Sequence, residues 1–371
     1  RIRSHLTQRT EITMSLKLAS IQGRAQFVVG SSTEFRVVDV EHSSNGSLPS
    51  DVMSCYSVWH SLRAHAATLS STDGASCSIE QLDCPVPQPR QLFAVGLNYK
   101  KHAEEMNSPI PATPLTFAKF QSSINTPCGD VQLVGATCDY ESELVIVIGT
   151  GGVNIAQADA WQHIAGITAG QDISDRVLQF AATPPHFDLA KSRDGYGPIG
   201  PVVVSTDLFS NPDDLAMVCD ISGERRQEDR TTSLIFDVPV LIEYLSALMT
   251  LAPGDIIFTG TPAGVGAATG NFLKPGDVIE STIEGIGTLI YANEYQQIRP
   301  AKKKDVRAIQ LLTDKGVHTD ELVKRTRASI EKHLGEYFVF EIDNNIVGVV
   351  AIIPAVSFRP ASLMSPMVTD A

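Results

Sequence analysis

Three carboxylates are the first residues in this chain whose types and spacing could do chemistry. Glu141 and Glu143 stand two apart in Asp139-Tyr140-Glu141-Ser142-Glu143-Leu144. On a strand, that spacing puts both side chains on one face. The run 144–148, Leu-Val-Ile-Val-Ile, is apolar on both faces, as in a strand that enters a core. Two like charges at the mouth of such a strand are costly unless something positive lies between them. A hard divalent cation such as Mg²⁺, which takes oxygen ligands, would meet that need. The commoner use of an isolated Glu-x-Glu is a solvated strand edge. Asp172 ends the Gly-punctuated apolar run 166–171 and would serve as the third oxygen ligand. Alone, an Asp after a strand more often caps a helix.

His102 and Glu105 sit three apart in Lys100-Lys101-His102-Ala103-Glu104-Glu105-Met106. If this is a helix they share a face, and a His oriented by a carboxylate is a general base for water. A surface ion pair is the ordinary alternative. Lys191 lies between apolar residues and the Gly/Pro-rich stretch 193–198, where an ammonium could meet a carboxylate or enolate oxygen; a surface lysine is the commoner case. Thr259-Gly260-Thr261-Pro262-Ala263-Gly264-Val265-Gly266 follows an apolar run. It lacks the Gly-Lys-Ser/Thr ending of a phosphate loop. Its glycines let backbone amides approach an anionic group such as a carboxylate.

The elements that must hold these residues are mostly strands. Short β-type runs at 92–95, 115–119, 144–148, 202–204, 256–259 and 288–292 are separated by turn residues such as Pro253-Gly254-Asp255. Helical patterns are fewer: 100–106, 156–163 and 238–249. Without regular βαβ alternation the expectation is a mainly β, α+β fold with an antiparallel or mixed sheet, not a doubly wound one. Residues 15–85 read as a small β-rich domain with one helix at 57–69, and Pro85, Pro87 and Pro89 as a stiff connector. Net charge is −13, against a general nucleic-acid binder. The longest apolar run, 346–356, is too short to span a membrane. Six scattered cysteines with no CxxC pair read as reduced thiols of an intracellular, cytoplasmic protein. Residues 1–13 read as a leader outside the fold; an Arg/Ser-rich transit segment, and so a mitochondrial location, is one reading of them.

Taken together, Gly96-Leu97-Asn98-Tyr99 with His102 and Glu105, the Asp139–Leu144 motif, Gly170-Gln171-Asp172, Ala190-Lys191-Ser192 and Gly260–Gly266 resemble the fumarylacetoacetate hydrolase family in order and spacing, over about residues 90–297. The segment 15–89 is similar to the small N-terminal domain of bacterial and fungal members. The resemblance implies the family's mixed β-sheet roll, a Mg²⁺ or Mn²⁺ held by Glu141, Glu143 and Asp172, and a water-activating His102–Glu105 pair. It implies Lys191 and Thr261 as substrate contacts, Arg176 and Gln179 as two more, and a homodimer. The loop 193–196 departs from the Phe-containing loop usual after that lysine, which bears on the substrate more than the chemistry.

The tail is different in kind. Residues 301–371 carry 10 Lys/Arg against 9 Asp/Glu, whereas the first 300 carry a net −14. Two amphipathic helices (305–312, 320–334) and a hairpin (337–342, 346–352) are expected. From 298 on, this order resembles the first half of a GNAT-type acetyltransferase similar to N-acetylglutamate synthases. The family's acetyl-CoA loop is missing: Ser357-Phe358-Arg359-Pro360-Ala361 stands there. The expected activity is metal-dependent hydrolysis of a C–C bond in a small 2-oxo or 1,3-dioxo acid, with the cation stabilising an enolate. Hydration, decarboxylation or enol–keto isomerisation could use the same apparatus. Acetyl transfer or an interaction role are the tail's alternatives.

Overall fold

The computed structural model describes residues 16–31, 34–318, 326–342 and 345–351. They divide into two compact units. The first holds the described residues up to Val131, then Thr137–Leu273 and Asp277–Ala292; the second holds Gln132–Ala136, Lys274–Gly276 and the described residues from Asn293 on.

An eleven-stranded mixed sheet organises the first unit. From one edge its order is Ala75–Ser76, Glu34–Asp39, Arg24–Ser31, Lys17–Ile21, Gly197–Ser205, Ile164–Gln171, Ser142–Ile148, Ile256–Phe258, Leu92–Gly96, Leu115–Ala118, with Ile124–Asn125 also beside Gly197–Ser205. Pairing is antiparallel except for Ile256–Phe258 on Leu92–Gly96 and Ile124–Asn125 on Gly197–Ser205. This is the expected mixed, sheet-dominated α+β architecture. A smaller antiparallel sheet takes Glu224–Arg230, Ala216–Ile221, Val278–Ile283 and the start of Gly287–Pro300.

Ser142–Ile148 and Ile164–Gln171 are buried along their whole length, which explains their unbroken apolar runs. Their register sets Ser142 opposite Gln171 and Glu143 opposite Gly170. Gly170 is required by packing: a Cβ there would lie 2.5 Å from Val145 Cγ2 and 2.8 Å from Phe258 Cε1. The same register brings Asp172 beside the glutamates, its N–H donating to Glu141 O at 2.9 Å.

The expected break after residue 89 has no counterpart in the packing. Lys17–Ile21 pairs with Gly197–Ser205, Leu18 opposite Val203. Phe27, Tyr56, Leu62 and Val86 share one core with Val145, Val203 and Phe258. The Tyr56 hydroxyl donates to Pro85 O at 2.8 Å, so the proline-rich stretch is packed against the core rather than left as a free spacer.

Helices Trp59–Ala66, Lys100–Glu105 and Val238–Leu248 fall inside the expected ranges. The last starts at Asp237, whose side chain accepts from Val240 N, with proline in its first turn. Residues Gln157–His163 form 3₁₀ turns instead of the expected α-helix, without a side-chain cap. In the second unit, Val306–His318 and Arg327–Lys332 pack with the hairpin Tyr337–Ile342 and Asn345–Ala351 around Val306, Ile309, Ile330, Tyr337 and Val339. The first of these helices runs longer than expected. The leader 1–13, the hairpin tip 343–344 and the tail stretch 357–361 lie outside the described residues. No helix among the described residues is long and apolar enough to cross a membrane.

Every residue proposed for chemistry lies in the first unit. A chain ending at Gln297 is therefore expected to keep its kcat/KM at 25 °C while its Tm falls. A side-by-side assay checks this. Large activity loss with an unchanged circular dichroism spectrum would show that the tail completes the site.

Candidate metal and substrate site

Glu141, Glu143 and Asp172 converge: each offers a carboxylate oxygen within 4.8 Å of the others, and all three are buried. Unit charges at that distance repel by about 3 kcal/mol at an effective dielectric constant of about 20. The protein offsets the repulsion unequally. Glu141 Oε1 accepts from Arg176 Nη2 at 2.6 Å and Oε2 from Lys191 Nζ at 2.7 Å. Burial alone would raise its pKa, but these cations outweigh it and hold Glu141 at about 2. Glu143 makes no ion pair among the described residues; Oε2 accepts the Gly260 N–H, at 2.7 Å. Burial, then the neighbouring Asp172 and Glu141 charges, push its carboxyl well above the usual range.

Both oxygens of Asp172 face an ammonium. Oδ1 accepts from Lys119 Nζ at 2.7 Å. Oδ2 lies 2.8 Å from Lys191 Nζ, an ion pair between two buried groups. Three hard oxygen donors crowded together, with one carboxyl driven toward its protonated form, fit a divalent cation.

His102 stands on the short helix Lys100–Glu105. Its Nδ1 lies 2.7 Å from Glu105 Oε1, and Glu105 Oε2 accepts the Gly264 N–H at 2.8 Å. Gly264 can take that place because its φ is +112° and a Cβ would fall 2.0 Å from Arg226 O. With Nδ1 bound to the carboxylate, Nε2 is the ring nitrogen left for chemistry.

A cavity of about 170 Å³ joins these groups. Its polar lining includes His102, Glu141, Glu143, Asp172, Arg176, Gln179, Lys191 and Thr261; Leu97, Met106, Phe117, Phe180 and Phe187 add an apolar wall. Eight of the nine residues singled out in the sequence thus face one cavity, and the ninth, Glu105, backs His102. Arg176 Nη1 donates to Gln179 Oε1 at 2.8 Å, which turns the Gln179 amide nitrogen away from the guanidinium. Thr261 is more constrained than expected: its hydroxyl donates to Ser142 O at 2.9 Å and accepts from Gln227 Nε2 at 2.8 Å.

Four supporting residues were not singled out in the sequence. Lys119 is wholly buried; desolvation lowers its pKa and Asp172 opposes that. Asp139 takes Arg176 Nε at 2.8 Å and the Gly266 and Ala267 amides. Gln171 accepts from Glu141 N and Gln227 from Ser142 N, at 2.8 and 2.9 Å, pinning the strand that carries both glutamates. The available signal was position alone: Lys119 and Gln171 close apolar strands, and Asp139 opens the Glu-x-Glu motif.

A profile of the fumarylacetoacetate (FAA) hydrolase C-terminal family matches residues 91–292, and the chain belongs to that family. It is 35% identical over 281 residues, 71% of this chain and 91% of the relative, to a fumarylacetoacetate hydrolase domain-containing protein 2 homolog of Dictyostelium discoideum. It is 41% identical to the oxaloacetate tautomerase YisK of Bacillus subtilis, over 58% of this chain and 73% of that one. A human mitochondrial oxaloacetate tautomerase is 39% identical, over 56% and 67% respectively. Among solved structures, maleylpyruvate hydrolase from Sphingobium sp. SYK-6, with manganese(II) and pyruvate, superposes with a TM-score of 0.61 at 27% identity, over 75% of this chain and 98% of that one. The family match ends at residue 292, and the comparisons do not support the expected resemblance of the segment from residue 298 on to an acetyltransferase.

A cation taken up at Glu143 would have to displace the proton that burial favours there. The Mn²⁺ affinity of metal-free protein is expected to rise with pH, and calorimetry in buffers of different ionisation enthalpy should register proton release. The stability linkage has the same origin. A raised folded pKa stabilises fully below the unfolded value near 4.5 and is lost as pH rises through the folded value. Glu141, with its depressed pKa, acts in the opposite sense and only below that value. Scanning calorimetry should therefore show a Tm gain from Mn²⁺ that grows with pH above about 4.5; a pH-independent gain would contradict the assignment.

Proposed function

We propose that this chain is a divalent-cation-dependent enzyme of small 2-oxo acids, and that its reaction is enol–keto tautomerisation of oxaloacetate or an acid of its class. The observation that carries the reading is the opposition, across one small cavity, of the three-carboxylate cluster and the His102–Glu105 pair. The cavity is below the roughly 300–1,000 Å³ of pockets for drug-sized ligands, which favours an acid of a few carbons. The relatives at 39–41% identity that carry the name oxaloacetate tautomerase support the reaction.

Glu141, Glu143 and Asp172 would hold Mg²⁺ or Mn²⁺, which when bound supplies Lewis-acid stabilisation of negative charge on a 2-oxo oxygen. The chain's own groups do the rest. Four buried carboxylates, Asp139, Glu141, Glu143 and Asp172, face three buried cations, Lys119, Arg176 and Lys191. With every group ionised the formal balance is −1, and a bound divalent cation makes it +1, so the loaded site favours an anion. Gln179 offers N–H donors to its carboxylate, and the Lys191 ammonium, held by Glu141, Ser174 and Asp172, adds positive charge at the cavity wall. His102 Nε2 takes the enol hydroxyl proton and delivers one to C3, leaving the keto acid with no net gain or loss of atoms. Glu105 fixes the ring and stabilises its charged form.

Hydrolytic C–C cleavage is the second reading, favoured by the likeness to maleylpyruvate hydrolase. There the same His102 nitrogen would deprotonate water. Following enol absorbance and pyruvate release in parallel, for oxaloacetate and for acylpyruvates, separates the two. Tautomerisation predicts enol decay without cleavage products; rapid pyruvate release from acylpyruvates would favour hydrolysis. Neither signal with Mg²⁺ or Mn²⁺ present would reject both. His102→Ala should lower kcat by roughly 10²–10⁴-fold and leave Mn²⁺ affinity nearly unchanged. Loss of the cation instead would reassign His102 as a ligand. The homodimer implied by the family resemblance belongs to this proposal too, and sedimentation equilibrium tests it.

A further inference from the structure

The buried lysine behind the carboxylate cluster has no part in the chemistry described so far. Lys119 follows the strand Leu115–Ala118, with its side chain fully enclosed. Its ammonium donates to Asp172 Oδ1 at 2.7 Å, to Tyr196 O at 3.3 Å and to Lys191 O. Three acceptors match the three N–H groups of an ammonium; a neutral amine could serve only two. Lys119 is therefore seated as a cation. It does not line the cavity, so it touches neither substrate nor reacting atoms.

The geometry points to Lys119 as a positioning residue that works as a built-in countercharge: it weakens cation binding at Glu141, Glu143 and Asp172 and thereby keeps the loaded site positive enough to take an anionic substrate. This rests on the proposed cation-dependent reading of the same site. Two observations support it. First, Lys119 occupies Asp172 Oδ1, which leaves Oδ2, 2.8 Å from the Lys191 ammonium, as the oxygen open to a cation. Asp172 is thus restricted to a single ligand oxygen, and the bidentate grip that would bind a cation more tightly is denied to it. Second, Lys119 supplies one of only three cations facing four carboxylates. Removing it would take the loaded site from a formal +1 to zero. The Lys191 O contact ties Lys119 to the residue whose own ammonium bonds Glu141 at 2.7 Å.

The test compares wild type with Lys119→Met, Lys119→Gln and Lys119→Arg, using Mn²⁺ alone in calorimetric titrations and then steady-state kinetics on oxaloacetate at saturating Mn²⁺. Both neutral variants are expected to bind Mn²⁺ about tenfold or more tightly than wild type, because a buried positive charge beside a ligand has gone. Their KM for the anionic substrate should rise by about tenfold, with a smaller change in kcat. Lys119→Arg keeps the charge and should restore both values toward wild type. A purely structural lysine would give the opposite pattern, with Mn²⁺ affinity and Tm falling together. Unchanged or weaker Mn²⁺ binding in folded neutral variants overturns the inference. So does failure of both neutral variants to fold, since it would show that the ammonium builds the site instead of tuning it. Absence of Mn²⁺ binding by wild type would overturn the cation-dependent reading itself, an outcome distinct from all of these.

Discussion

Concentrated buried charge is the constraint on which the rest of the structure depends. Three carboxylates within 4.8 Å of each other cannot all stay ionised inside a protein without compensation. The surrounding architecture supplies most of that compensation and leaves a remainder. Arg176 and Lys191 satisfy Glu141, Lys119 and Lys191 face the two oxygens of Asp172, and Glu143 receives the Gly260 amide. The remainder is local and directional, and a divalent cation is the simplest species that would complete it.

Positioning such a cluster demands rigid backbone, and the sheet provides it. Glu141 immediately precedes and Glu143 lies within a strand paired on both sides over part of its length, by Ile164–Gln171 and by Ile256–Phe258. The same pairing delivers Asp172, and the loop after Ile256–Phe258 delivers the Gly260 and Gly264 amides to Glu143 and Glu105. One strand triplet thus ties the carboxylate cluster to the His102–Glu105 pair. Gln171 and Gln227 then lock the strand's entry by accepting from consecutive amides, Glu141 and Ser142. Residues built on sheet edges and tight turns hold their geometry better than residues on long loops.

What could be read in the sequence was what local spacing encodes. A period of two gave the glutamate pair a common face, and a spacing of three put His102 and Glu105 together on a helix of one and a half turns. Strand content and the mixed sheet also followed from short apolar runs without βαβ alternation. Long-range relations were not legible. Lys119 reads like any lysine at a strand end until Asp172, 53 residues away, is found beneath it. Pro85, Pro87 and Pro89 look like a linker, but Val86 is buried in the shared core and Tyr56 bonds Pro85 O, so a connector by composition is packed structure in fact. The 3₁₀ turns at Gln157–His163 carry the same lesson on a smaller scale: helical composition alone did not make an α-helix.

The central claim is that Glu141, Glu143 and Asp172 hold one divalent cation per chain. Electron paramagnetic resonance of Mn²⁺ titrated into metal-free protein measures this directly, because bound ion loses the sharp signal of the free ion. The account predicts one bound Mn²⁺ per wild-type chain and loss of that binding in folded Asp172→Ala and Glu141→Ala variants. Wild-type stoichiometry preserved in both variants, or no binding by wild type, would contradict it.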